Sequence, residues 1–200
     1  MDTKTLDNTS MAAQSTGLAV SPQKLRALEP GLSGWRGRLF DFRLSLGQGQ
    51  RLSALEAFEE HLRHGDAGPA VVVDTNPVRV AAYANELDAV VMLAFEASAL
   101  ESMVLSRGDR LLCVCTYEPA GQTPGYAADI IPGPRASGHF RNAAPLIADF
   151  LSDAPARIEL IKGAFDPAIW AHLDSLVHQH REYFGTKARP GNPISVCFDV

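Results

Sequence analysis

The sequence predicts a mixed α/β or α+β domain: a single mixed sheet flanked by helices, with a hairpin extension. Three observations carry this. Short apolar runs of strand length recur at Ala70–Asp74, Ala89–Phe95 and Asp109–Tyr117. Stretches with helical periodicity and capping residues lie between and around them. A Pro/Gly-rich break of about 25 residues, Glu118–Asn142, follows the third run. Strands alternating with helices argue for a helix-covered sheet. The connections are short for parallel crossovers, which keeps the α+β arrangement open.

Taken in order, residues 1–20 read as a flexible leader rich in Thr, Ser, Asn, Asp and Ala, and 21–200 as one globular domain. Ser21-Pro22 starts a short helix, which Pro30-Gly31 stops. Trp35–Leu46 alternates as a strand with arginines on its outer face. Arg51–His64 is helical, with Leu52, Leu55, Phe58 and Leu62 on one stripe and Gly65 as the stop. Ala70–Asp74 is an apolar strand of the kind buried on both faces. Thr75-Asn76-Pro77 reads as an N-cap, so Val78–Glu86 is expected to be a helix, although Val78, Val80 and Tyr83 leave room for a strand. Ala89–Phe95 is a strand, Ser98–Ser106 a short helix, and Asp109–Tyr117 a third strand. Within the long break, Tyr126–Ile131 reads as the returning arm of a hairpin and 132–142 as an irregular loop. Ala143–Leu151 is read as a helix and Arg157–Lys162 as an edge strand. Asp166 and Pro167 then open a strong helix that ends at Gly185. Ile194–Phe198 closes the chain as a strand.

Composition bounds the function. The chain has 200 residues, 46% of them hydrophobic and 20% charged, with a net charge of −5. That argues against a large phosphate-binding face, so no nucleic-acid partner is expected. No apolar stretch approaches the roughly 20 residues of a membrane helix, and no secretory signal opens the chain. Three cysteines form no pairing framework, which reads as a reduced, cytoplasmic protein. Phosphate-loop, dinucleotide, nucleophile-elbow, zinc and calcium patterns are all missing. No metal and no cofactor is therefore expected.

Two functional readings follow. The first is a non-enzymatic cytosolic protein, of the immunity or accessory-factor type, that binds another protein through an exposed Arg/His-bearing loop. Arg135, His139, Phe140, Arg141 and Asn142 are its contact residues, because the loop is rich in donors and carries an aromatic anchor. The same donors would suit a small anionic ligand. The second reading is an enzyme, or a binder of a small anion, with a strand-end acid and a histidine. Asp74 follows the first apolar strand, where ligands gather in open α/β sheets. Asp129 lies in the long break. His139 is in the loop, and His180 lies within the apolar stripe of the last long helix. General acid–base chemistry needs a carboxylate and a histidine brought together.

Overall fold

A computed structural model describes residues 15–32, 54–121 and 125–198. One mixed sheet forms its centre. Its strands are β1 (Asp66–Thr75), β2 (Val78–Ala84), β3 (Ala89–Phe95), β4 (Arg110–Pro119), β5 (Phe140–Ile147) and the two-residue β6 (Arg189–Pro190). The order is β5-β4-β1-β2-β3-β6. Among the described residues, only the β3–β6 pair is parallel. No described helix is long and apolar enough to cross a membrane.

Strict alternation on the central strands produces a layer on each side. Ala70, Val72, Val80, Ala82, Val91 and Leu93 face one core; Val71, Val73, Ala81, Tyr83, Val90 and Met92 face the other. Helix α1 (Pro22–Leu28), helix α2 (Ala54–His64) and the single turn α3 (Ala148–Leu151) lie over the first face. Helix α4 (Pro155–Ala164) packs beside β4. The long helix α5 (Pro167–Phe184) covers the second face with Trp170, Leu173, Leu176 and Val177. Its start is set by the Asp166 side chain, which accepts from the Ala168 amide, and by Pro167. A fully buried aliphatic or aromatic side chain of this kind contributes roughly 1.5–3 kcal/mol.

The sheet curls until its two edges approach. The Arg189 guanidinium on β6 donates to the Ala143 carbonyl and the Asn142 side chain on β5, at 2.9 Å each. The segment between β4 and β5 crosses the same gap. Its Gly133 and Ser137 amides donate to Leu87 and Glu86, in the turn joining β2 to β3. Helix α6 (Pro193–Phe198) adds Val196 to the first core. Buried Glu29 accepts from the Asn192 side chain and the Ile194 amide, satisfying a donor at the start of α6.

Several expectations need correction. Val78–Glu86 is not a helix: residues 78–84 form β2, paired on both sides, and the Ala residues there fit a tightly packed central strand. Thr75 and Asn76 therefore shape a hairpin turn and cap no helix. Ala143–Leu151 is strand to Ile147 and helical only after it. Arg157–Lys162 lies inside α4, which opens on Pro155 and buries Ile158. Ile194–Phe198 is helical, because Pro193 and Glu29 favour the first turn. Tyr126–Ile131 is a turn, so the return arm of the hairpin is β5. Ser98–Ser106 holds only a 3₁₀ turn at Ala97–Leu100. The folded body also begins before Ser21: Thr16, Leu18 and Val20 are buried. The expected strand Trp35–Leu46 lies outside the described residues.

Candidate functional site

The residues singled out by sequence gather only in part: Asp129, Asn142 and His180 lie around Arg189, and Asp74 stands apart on the β1–β2 turn. The Asp74 carboxylate accepts from the Thr75 amide at 2.9 Å and pairs with Arg79 at 3.1 Å, so it organises the β1–β2 turn. Asp129 is held by two hydrogen bonds of 2.6 Å from Arg189. Burial works against its charge, but the Arg189 bonds and charge prevail and keep its carboxyl below the ordinary value. His180 is buried on α5 against Phe184, with neither ring nitrogen hydrogen-bonded among the described residues. Burial is the main cause that holds it below the usual histidine value, against the attraction of Asp129.

The 132–142 loop divides into two classes of residue. Phe140 stacks obliquely on Tyr117 at 5.1 Å between ring centres, and Arg141 pairs with Glu118 at 2.8 Å. Asn142 is buried and bonded to Arg189. Of the five contact residues read from the sequence, Arg135 and His139 are the exposed ones. The loop itself is tethered, since the Arg135 amide donates to Asp88 at 3.1 Å.

That tether leads to a cluster the sequence did not reveal. Asp88 follows the short 3₁₀ turn after β2 and sits in the left-handed region, at φ 46°. Its fully buried carboxylate accepts from the Tyr83 hydroxyl at 2.9 Å and lies 2.6 Å from His172 Nε2. Burial opposes ionisation, yet the bonds from His172, the Arg135 amide and Tyr83 outweigh it and hold Asp88 below the ordinary carboxylate value. Burial, then the bond to Asp88, pushes the Tyr83 hydroxyl well above its usual range. His172 also meets Tyr83 edge-on at 5.8 Å and remains partly exposed.

Tyr83 connects this cluster to a cleft of about 280 Å³. The cleft lies on the α5 side of the sheet, where α4 turns into α5. Its walls are mainly apolar, from Pro69, Leu160, Ile161, Phe165 and Ile169. Leu160 stands on its lip, 63% exposed. Two of its polar side chains are engaged within the chain. The Arg157 guanidinium donates to the Thr16 carbonyl at 2.9 Å, and Asp66 accepts from the Tyr117 hydroxyl at 2.8 Å. Mostly apolar, concave surfaces with a few fixed polar groups are where ligands bind.

Elsewhere, buried titratable groups serve the core. His61 Nε2 lies 2.9 Å from the Val114 carbonyl, which only accepts, so the proton is on Nε2. Its Nδ1 faces the Thr116 hydroxyl and the Cys197 thiol at 3.4 and 3.5 Å. Burial lowers His61 to about 4 and raises Cys197 to about 12, so both are neutral near pH 7. No group of three metal-ligating side chains occurs among the described residues.

No family model matches the chain, and no curated protein or solved structure is significantly similar to it. The functional reading therefore rests on the site alone.

Proposed function

We propose that this chain is a non-enzymatic binding protein that takes up part of another protein. The contact surface is the apolar cleft, with the 132–142 loop beside it. The carrying observation is the cleft lining: an exposed Leu160 over apolar walls, with Arg157 and Asp66 already bonded within the chain. Such a surface offers burial and shape and presents no nucleophile paired with a base. Arg135 and His139 add exposed polar contacts on the loop that Asp88 ties to Tyr83 of the cleft wall, and the Arg135 charge acts on the Tyr83 hydroxyl.

Affinity capture with the full chain, followed by calorimetry on the recovered partner, tests this. Leu160→Asp should weaken binding about tenfold or more, as expected for an apolar anchor. The Arg135→Ala/His139→Ala double variant should give a smaller loss. Unchanged affinity in a folded Leu160→Asp protein would overturn the cleft as the contact surface.

An acid–base enzyme, or a binder of a small anion, is the second reading. One observation favours it: His172 is partly exposed while its Nε2 is fixed by a buried carboxylate. Such a pairing is how a histidine base is oriented. A small molecule whose binding is lost in His172→Ala but kept in Leu160→Asp would favour this reading over the first.

A further inference from the structure

The opposite end of the α5 face carries a second opening. Two adjoining depressions of about 270 and 260 Å³ share Val73 and Arg181 in their walls. Three guanidinium groups from three elements line them: Arg79 on β2, Arg107 on the turn before β4, and Arg181 in the last turn of α5. Arg181 Nη2 donates to the Val73 carbonyl at 3.1 Å, which fixes the head of the side chain. Arg79 is engaged by Asp74. Arg107 is exposed and makes no ion pair among the described residues. Its turn is nonetheless anchored, because the Gly108 amide donates to Val72 at 2.8 Å and the Val72 amide to Asp109 at 3.0 Å.

The geometry points to a binding site for a phosphate-type tetrahedral oxyanion between Arg107 and Arg181. A guanidinium carries five N–H donors in a fixed fork, and Arg181 uses one of them on the protein. Two forks arriving from a loop and a helix suit a group with three or more acceptor oxygens. A carboxylate, with two, is satisfied by one fork. The opposing charges are few: Asp74 is neutralised by Arg79, and Asp174 is the carboxylate in the first depression. His178, in the same wall, lies 3.3 Å from Glu182. In a chain of net charge −5, this is a local positive site on an acidic molecule.

Inorganic phosphate titrated into the full chain at constant ionic strength tests the site, with the amide resonances of Val73, Gly108 and Arg181 as the readout. Methyl phosphate and sodium chloride form parallel arms. The expected result is saturable shifts at those amides with phosphate or methyl phosphate, and none with chloride. Tighter saturation by methyl phosphate would assign the ligand as a phosphate ester; equal saturation, as the free ion. Arg107→Ala, which removes no ion pair among the described residues, should weaken binding roughly tenfold. Arg181→Lys keeps the charge but loses the fork and should weaken it as well. Shifts that stay linear, that chloride reproduces, or that survive Arg107→Ala unchanged would overturn the proposal.

Discussion

Arg189 holds Asp129 through two hydrogen bonds of 2.6 Å, and the same guanidinium reaches the β5 edge at Asn142 and Ala143. One side chain thus ties together the two ends of a six-stranded sheet. Both partners are mostly shielded, with side chains 19% and 14% exposed. Removing one leaves the other charged and poorly solvated. Arg189→Met or Asp129→Leu alone should each cost about 3 kcal/mol in urea unfolding. The double variant should cost less than the sum of the two, because neither charge is then stranded. Additive losses would show that the pair is not a coupled clasp.

Acid should destabilise the fold before its carboxylates titrate. His61 is held at about 4 by burial, below its ordinary 6.5, so the unfolded chain binds a proton that the folded chain refuses. Unfolding then takes up a proton, and stability falls as pH drops from about 6.5 to about 4. The gap corresponds to roughly 3 kcal/mol from this residue. His180 is lowered too and acts in the same direction. Asp88 and Asp129 have lowered values, so their contribution is present above the unfolded value and is lost only as pH falls further. Urea midpoints at pH 7, 5.5 and 4.5 check the slope. His61→Gln should lower stability at pH 7 and flatten the slope; an unaltered slope would remove His61 as its source.

The readable parts of the sequence were those whose pattern has one physical meaning. Ala89–Phe95 is strand at the bounds read from it, and α5 runs from its Asp166 cap to Gly185. Val78–Ala84 misled because Thr75-Asn76-Pro77 has the form of a helix N-cap but turns a hairpin, and pairing with two neighbouring strands makes 78–84 a strand. Arg157–Lys162 alternates like a strand, but it lies within α4, which Pro155 opens. The site was less legible than the fold. Asp88 and His172 are 84 positions apart, and only tertiary packing brings them together. One signal was available: His172 stands three residues after Ile169, on the same face of the helix. The long break was conspicuous in sequence, and its main structural role is to cover the gap between the sheet edges.

The thiols should be inert in the native protein. Cys113 and Cys115 are buried on β4, and Cys197 is raised to about 12 by burial and by the nearby Glu29 charge. Thiolate is the reactive form; the neighbouring Cys113 thiol and burial suppress it at Cys115, and burial suppresses it at Cys197. Titration with an aromatic disulfide reagent at pH 8 should find far less than one reactive group in the native state. In denaturant all three cysteines should react. Fast native labelling of Cys197 would mean that α6 opens readily from the body.

Gly133 is the position on which the loop depends most. A Cβ there would strike the Asp88 carboxylate and its backbone carbonyl, and neither can retreat. The carboxylate is fixed by Tyr83, His172 and the Arg135 amide, and the backbone by the turn after β2. Gly133→Ala must therefore lift the loop off that turn, at a cost of roughly 1–3 kcal/mol. Gly138, on the same loop, has φ +76° and open space around its Cβ position. Gly138→Ala carries only backbone strain, of order 1 kcal/mol. The two variants separate by a second readout. Lifting the loop breaks the Arg135–Asp88 bond and disturbs the carboxylate that holds His172, so Gly133→Ala should shift the His172 ring resonances while Gly138→Ala leaves them in place. Equal His172 spectra in both variants would detach the loop from the Asp88 cluster.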